Sequence, residues 1–212
     1  MILSPNILDF RYFSGIILRK KKEGILEMNT DEKAVLKKAQ LVSHWSSQKL
    51  YYCTGKKHQR AWTVKRGEVY FVDLGENVGS EENKIRPVVV LQSNSYNFKS
   101  PVFTCAIIST SPMSIPDIQI PLVRTYPYVD NKGIQRTLFG TIDLGQIKTV
   151  GKERIISKKI CSLSVSEMNE VDLKIFNSLG LNSIISAKNN TIESLMGKIE
   201  YLKNQLNNEQ KS

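Results

Sequence analysis

The sequence is short of the residues that build covalent or metal-held scaffolds. Its 212 residues include three cysteines and two histidines. Cys53, Cys105 and Cys161 are odd in number and widely spaced, which argues against a disulfide framework and against a paired zinc or redox motif. These cysteines indicate a reduced, cytoplasmic protein. Because histidine, cysteine and carboxylate residues do not cluster along the chain, the sequence predicts neither a metal site nor a cofactor.

Long apolar runs are also missing. Residues 1–18 contain apolar patches, but Asp9 and Arg11 interrupt them, and no positively charged stretch precedes an unbroken apolar core. This pattern predicts neither a signal peptide nor a membrane span. The sequence also has no glycine-rich loop of the kind that holds phosphates. We therefore expect neither a membrane partner nor a phosphate site of that class.

Acidic residues are outnumbered, and the excess of positive charge lies near the N-terminus. The chain has 30 Lys and Arg against 20 Asp and Glu, a net charge of +10 and a pI near 9.5. Residues 1–63 hold twelve basic and five acidic residues, whereas residues 64–163 hold thirteen and nine. A basic chain favours an anionic partner, either a nucleic acid or an acidic protein.

Residues 1–63 form a basic extension with one amphipathic helix predicted near residues 30–50. Ahead of that helix, residues 19–24 read Arg-Lys-Lys-Lys-Glu-Gly, which a purine-rich stretch resembling a ribosome-binding site can encode. Met28 follows at a suitable distance, so one hypothesis is that translation begins there and residues 1–27 are not translated. The alternative is a basic arm that contacts RNA electrostatically.

The centre of the chain consists of two predicted strands joined by a polar loop. Residues 64–74 and 85–91 are rich in β-branched and aromatic residues, whereas residues 75–84 carry Gly, Asn, Ser and four charges. After Pro87 the second run is continuously apolar, which predicts a strand buried on both faces. Pro87 suits a strand start and holds Arg86 extended where the loop meets the strand. A charged side chain at that position is placed to act on a ligand.

The rest of residues 64–182 predicts a small antiparallel barrel closed by a helix. Turn residues separate many short apolar runs, as in barrels of this size. Strands are predicted at residues 102–109, 117–123, 137–143, 146–149 and 159–162, with a turn at 130–133. Ser164 and Glu167 begin a helix that covers one end of the barrel and stops near Gly180. The predicted fold class is α+β.

The last segment, residues 183–212, predicts a helix with an apolar stripe. Apolar residues alternate spacings of three and four, the a/d repeat of a coiled coil, with Lys188 and Gly197 as interruptions. The stripe comprises Ile185, Ile192, Leu195, Ile199, Leu202 and Leu206. Two alternatives remain for this tail: a helix that returns onto the barrel or the N-terminal helix, and a seam between two copies of the chain.

Several of these segments resemble the MazF/PemK family of toxins from bacterial toxin-antitoxin pairs. The resemblance covers roughly residues 64–181, and its pieces fall in the order that the family has. They are Arg66-Gly67-Glu68-Val69-Tyr70, Asp73-Leu74, Gly79-Ser80-Glu81, Arg86-Pro87-Val88-Val89-Val90, Phe98-Lys99-Ser100-Pro101, Ala106-Ile107-Ile108-Ser109-Thr110 and Gln146-Ile147-Lys148-Thr149-Val150. The resemblance implies an SH3-like antiparallel β-barrel, here with helical N- and C-terminal extensions.

The resemblance also implies an activity: a metal-independent endoribonuclease that cuts single-stranded mRNA by attack of the ribose 2'-hydroxyl on the adjacent phosphate. Arg86 matches the family's catalytic arginine, whose permanent charge and planar donors suit a phosphate that gains negative charge. The second catalytic residue is a hydroxyl at a strand end. It matches Ser109, with Thr110 as the alternate, because neighbouring strand residues face opposite sides.

Five further residues match positions that border the RNA groove in the family: Gly79, Ser80, Glu81, Pro87 and Gln146. Their positions predict contacts with RNA, such as with base edges, rather than chemistry. The sequence departs from the family pattern at two positions, where Gly145 replaces an often acidic residue and Lys148 an arginine. Both departures bear on base preference.

The family resemblance implies three partners: single-stranded RNA, a small acidic antitoxin encoded nearby, and a second copy of the chain in a homodimer. Together these predict a growth-inhibiting toxin of the bacterial cytoplasm. The alternative is a non-catalytic binding module on the same barrel, either a gyrase-poison-like toxin or a protein that binds RNA or another partner. Arg86 with Ser109 distinguishes the two, because a gyrase binder has no need of them.

Overall fold

The structure is a computed structural model that describes residues 30–54, 63–111 and 113–209. The hypotheses about a start at Met28 and about a basic arm concern residues outside this part of the chain. Two compact units divide the chain, Met1–Lys49 and Leu50–Ser212.

Helix α1 (Thr30–Thr54) contains the helix predicted near the N-terminus. Asp31 and Glu32 lie in its first turn, where negative charge interacts favourably with the helix dipole. No residue of α1 is buried, and Val35 and Leu36 are exposed. This helix therefore gains little stability from burial of its apolar residues.

The described part of the second unit has eight strands, six of which form one antiparallel sheet. The strands are β1 (Glu68–Asp73), β2 (Ile85–Val90), β3 (Val102–Ser109), β4 (Gln119–Pro121), β5 (Tyr126–Val129), β6 (Gln135–Leu138), β7 (Thr141–Gly151) and β8 (Cys161–Ser162). The sheet has the order β4, β7, β3, β2, β1, β8, and β5 and β6 form a separate hairpin. A register shift between Ala106 and Ile107 interrupts the pairing of β3 with β7, and such bulges bend a strand. The predicted α+β fold, a curled antiparallel sheet with helical segments at both ends, is confirmed.

Both faces of the sheet are covered, because its strands supply two separate apolar clusters. Val88 and Val90 pack with Phe103 on one face, whereas Val89 packs with Ile142 on the other. All five residues are fully buried. The predicted burial of β2 on both faces is therefore confirmed, and it holds β2 rigidly in the middle of the sheet.

Two strand predictions were wrong in detail. The strand predicted over residues 137–143 is divided between β6 and β7, and Gly140 at the break has a φ of 131°, which favours glycine. The strand β5 was not predicted at all. The predicted turn at residues 130–133 is confirmed, since it joins β5 to β6 and its Gly133 has a φ of 79°.

Helix α3 (Val165–Ser178) closes one end of the sheet, as predicted. Ser164 and Glu167 form a capping box at its start, in which the Ser164 hydroxyl accepts from the Glu167 N–H at 3.2 Å. The hydroxyl of Tyr126 donates to the carboxylate of Glu167 at 2.6 Å, which ties the helix start to β5. Val171 is fully buried against the sheet, and Gly180, with a φ of 67°, follows the helix.

Two more helices complete the unit: the short α2 (Asn94–Lys99) and the C-terminal α4 (Asn182–Glu209). The stripe on α4 stays open, because Ile192, Leu195, Ile199, Leu202 and Leu206 are each 52 to 58% exposed. These residues do not pack on the barrel. Of the two alternatives for the tail, the helix that returns onto the barrel is therefore wrong for them. Among the described helices, none is both long and apolar enough to cross a membrane.

Candidate active site

Arg86 and Ser109 lie toward the same end of two neighbouring strands in the middle of the sheet. Strands β2 and β3 are antiparallel, and their pairing runs from Val88 with Ile107 to Val90 with Cys105. Arg86 and Ser109 each lie two residues beyond the first of these pairs. Both line one cleft of about 350 Å³, which we call the Arg86 cleft.

The walls of the Arg86 cleft come from five parts of the chain. It is lined by Phe71, Glu82, Ile85, Arg86, Pro87, Ile108, Ser109, Thr110, Ser111, Tyr128, Thr137, Leu138 and Phe139. Arg86 is the only cation among these residues. The cleft thus combines one permanent positive charge with several hydroxyl groups, a composition suited to a phosphate.

Glu82 holds the guanidinium of Arg86. The Nε of Arg86 donates to Oε2 of Glu82 at 2.7 Å, and the two side chains are 38% and 20% exposed. This contact uses one of the five N–H donors of the arginine. Both terminal NH₂ groups are without a partner in the described part of the chain, so they can donate together to a bound phosphate.

The loop that carries Glu82 is held by its own hydrogen bonds. At its base, Leu74 donates to the carbonyl of Lys84 and Lys84 donates to the carbonyl of Gly75, both at 2.7 Å. Inside the loop, the Asn77 N–H donates to the side chain of Asn83 at 2.6 Å. Lys84 itself has a φ of 64°, in the left-handed region that non-glycine residues seldom occupy. Such strain at the lip of a cleft is typical of functional loops.

Gln146 fixes this loop to β7. Its side-chain oxygen accepts from the N–H of Glu82 at 2.8 Å, and its side-chain nitrogen donates to the carbonyl of Ser80 at 3.1 Å. The residues therefore form a series in which Gln146 positions Glu82 and Glu82 positions Arg86. In this arrangement the amide of Gln146 is used within the protein, so it supports the loop directly.

The predicted site residues divide between two clefts. Arg86, Pro87, Ser109 and Thr110 lie together in the Arg86 cleft. A second cleft of about 620 Å³, the loop cleft, is lined by Val78, Ser80, Glu81, Gly145, Gln146, Ile147, Lys148 and Thr149. There Lys148 pairs with Glu81 at 2.9 Å, so the two positions interact. Gly79, whose φ is 62°, shapes the loop but lines neither cleft.

Three hydroxyls follow one another at the end of β3. Ser109 donates to the hydroxyl of Ser111 at 3.1 Å, and the N–H of Ser111 donates back to Ser109 at 3.2 Å. Thr110 lies one residue beyond the strand and also lines the cleft. The choice between Ser109 and Thr110 stays a prediction.

Cys105 and Cys161 do not contribute a nucleophile to this site. Burial raises the pKa of Cys105 to about 12 and that of Cys161 to about 11. Both thiols are therefore protonated at neutral pH and unreactive. Cys105 lies fully buried among the apolar residues of β3, as predicted for a small hydrophobic residue.

Comparison with known proteins decides the family. A family model described as the PemK-like, MazF-like toxin of type II toxin-antitoxin systems matches residues 65–179. The chain belongs to this family. The predicted resemblance to MazF/PemK toxins is thereby confirmed, and the match spans the sheet and α3 but neither α1 nor α4.

Individual members of the family are also similar to the chain. Endoribonuclease MazF of Staphylococcus epidermidis is 37% identical over 120 residues, which are 57% of this chain and 94% of that protein. A mycobacterial endoribonuclease solved with its cognate antitoxin is 21% identical, with a TM-score of 0.44 over 56% of this chain and 96% of its own. MazF from Deinococcus radiodurans is 14% identical, with a TM-score of 0.43 over 56% and 98%.

Sequence reasoning missed three residues of this PemK/MazF-family site: Glu82, Phe71 and Tyr128. Glu82 lies in a loop, where spacing along the chain does not tell which way a side chain points. Phe71 and Tyr128 come from β1 and β5; their ring centroids are 5.5 Å apart, and both residues line the cleft. Tyr128 flanks Pro127, and a proline inside a short run argues against a strand, which hid this segment.

Proposed function

We propose that this toxin is a metal-independent, sequence-selective endoribonuclease that cuts single-stranded RNA. The observation that carries the proposal is that Arg86 and Ser109 line one cleft. An arginine and a hydroxyl are a small catalytic set. They suffice only if the substrate supplies its own nucleophile, and the ribose 2'-hydroxyl of RNA is that nucleophile.

In the proposed reaction, the 2'-hydroxyl gives its proton to water and its oxygen attacks the adjacent phosphorus. The bond from phosphorus to the 5'-oxygen breaks, and that oxygen takes up a proton from water as it leaves. The products are a 2',3'-cyclic phosphate and a 5'-hydroxyl end. The two NH₂ groups of Arg86 donate to the phosphate oxygens and stabilise the charge that grows on them. The hydroxyl of Ser109 donates a further hydrogen bond there. A guanidinium is a permanent cation, so Arg86 acts by charge rather than as a base.

The net charge of +10 also supports the proposed partners. RNA and a small acidic antitoxin are both anionic, and either is attracted to a basic protein. We propose that the antitoxin silences the toxin in the bacterial cytoplasm, where mRNA is available, and that the active toxin is a homodimer. The similar mycobacterial endoribonuclease was solved with its cognate antitoxin.

The test is cleavage of a mixed-sequence single-stranded RNA in excess EDTA. The wild type should cut at discrete positions, and Arg86→Ala should lose activity by at least about 100-fold, the scale expected for loss of one charge-stabilising group. Ser109→Ala and Thr110→Val, compared side by side, identify the catalytic hydroxyl. Intact RNA with folded, antitoxin-free wild type would contradict the proposal and favour the non-catalytic binding module.

A further inference from the structure

A larger cavity adjoins the Arg86 cleft, and most of the residues that line it have no role assigned so far. Its volume is about 700 Å³, within the range of pockets that take ligands larger than a single phosphate. Phe71, Ile85 and Tyr128 line both this cavity and the Arg86 cleft, so the two spaces are adjacent. Beyond these shared residues, the segment Ile156–Ile160 forms the far wall. We call this space the flanking cavity.

The far wall of the flanking cavity is fixed to the sheet. The N–H of Ile156 donates to the carbonyl of Phe71 at 3.0 Å, and the hydroxyl of Ser157 accepts from the N–H of Phe71 at 2.9 Å. Asn131, in the turn between β5 and β6, donates to the carbonyl of Ile156 at 3.3 Å. Lys158 and Lys159 come directly after Ser157 in this wall, so the hydrogen bonds to Phe71 of β1 also hold their backbone in place.

The lining combines cations with aromatic rings. Lys158 and Lys159 are exposed, and Lys159 lies 3.4 Å from a carboxylate oxygen of Glu68. Within the described residues, Lys158 has neither a hydrogen bond nor an ion pair. The one carboxylate that lines the cavity, Asp130, accepts from two N–H groups of its own turn and from Arg136. The local charge that remains for a ligand is therefore positive.

An RNA strand that lies in the Arg86 cleft must continue on at least one side of it. Single-stranded nucleic acids are held by aromatic rings on which bases stack and by cations beside the phosphates. The flanking cavity offers both: Phe71 and Tyr128 at its boundary with the cleft, and Lys158 at its far wall. The Phe71 and Tyr128 rings are tilted at 56° to each other, and both side chains are half-buried.

We propose that the flanking cavity is a nucleotide subsite, in which a base next to the scissile phosphate stacks on Tyr128 and Lys158 binds the following phosphate. This inference rests on the proposed ribonuclease function. The apolar residues in the cavity would also suit a protein surface. The cations beside the aromatic rings favour RNA, and a protein partner is an outcome of the test.

The test uses RNA oligonucleotides with one cleavage site, lengthened by one nucleotide at a time on each side. In the wild type, the nucleotide that reaches the subsite should raise kcat/KM by about tenfold, the scale of stacking one base on an aromatic ring. Tyr128→Ala should abolish this step, whereas Tyr128→Phe retains the ring and should keep it. Lys158→Ala should reduce the slope of log Kd against log salt concentration by about 1, the change expected when one phosphate contact is lost. Lys99→Ala, which removes the same charge from α2 outside the cavity, is the matched control.

Binding of uncleavable 2'-O-methyl RNAs of the same lengths separates this inference from the proposed function. If RNA is not cut but the affinity step appears and is lost in Tyr128→Ala, the subsite stands and the ribonuclease does not. If RNA is cut with no length step, or if both variants behave like Lys99→Ala, the subsite is overturned. A fall in oligomeric mass by light scattering in Tyr128→Ala, with the length step intact, would show a protein interface instead.

Discussion

Replacing Glu82 by alanine should lower kcat and KM of RNA cleavage together. Glu82 receives the N–H of Arg86 at 2.7 Å and is itself held by Gln146 at 2.8 Å. Without this acceptor, the guanidinium loses its fixed direction. A misplacement of about 1 Å costs up to about 100-fold in rate. We expect kcat to fall by about 10- to 100-fold, or about 1.4 to 2.7 kcal/mol of activation free energy.

The fall in KM has a separate cause. Glu82→Ala removes a negative charge beside the phosphate site, so RNA is attracted more strongly. Stability should hardly change, because the Arg86 side chain is 38% exposed and pairs at that exposure contribute at most about 1 kcal/mol. Initial rates on a fluorogenic RNA, together with thermal melting of the same samples, separate the two effects.

Two further variants sharpen this prediction. Glu82→Gln keeps an acceptor for Arg86 but removes the charge, so it should retain most of kcat while KM still falls. Glu153→Ala removes an equal charge from an exposed 3₁₀ turn outside both clefts and should leave kcat unchanged. An unchanged kcat in Glu82→Ala would refute the role of Glu82 in positioning Arg86.

Three other predictions concern the framework of the site. Burial alone raises the pKa of Glu167, but hydrogen bonds from Tyr126 and Ser164 lower it overall. The ionised Glu167 carboxylate therefore stabilises the fold fully above its ordinary pKa of about 4.3. This stabilisation is lost as the pH falls through the lower pKa of the folded state. The melting temperature should therefore drop below about pH 4, and Glu167→Gln should flatten that drop. A Cβ at Gly140 would collide with the carbonyl of Ser109, so Gly140→Ala should cost about 2 kcal/mol or more in urea unfolding and reduce cleavage. Gly133→Ala is strained by its positive φ but meets no atom within 4 Å, so it should cost less. Removal of residues 187–212 should leave the melting temperature of the barrel within a few degrees, because the stripe of α4 is exposed; a large drop would show that the tail packs on the barrel.

The sequence predicted the parts of the structure that rest on local patterns. The continuous apolar run of β2 predicted burial on both faces, and Arg86 at its start was placed at the lip of a cleft. Ser164 and Glu167 predicted the start of α3 because a capping box is a local device. In each case residues close in sequence determine the outcome.

The parts that could not be predicted depend on contacts between distant segments. That Gln146 contacts RNA stays a prediction, but its amide also holds the loop at Ser80 and Glu82, a contact that spans 64 residues in the case of Glu82. Tyr128 reaches the cleft because β5 and β6 form a hairpin beside the main sheet. No spacing in the sequence indicates either contact.

The central claim is that the RNA supplies the nucleophile. The most direct test is an oligonucleotide with one cleavage site, incubated with the wild type in EDTA, in which the single 2'-hydroxyl at that site is replaced by hydrogen. The account predicts that this change alone abolishes the cut, and that the unmodified RNA yields a 2',3'-cyclic phosphate and a 5'-hydroxyl end. Cleavage of the 2'-deoxy substrate, or products with a 5'-phosphate, would contradict the account.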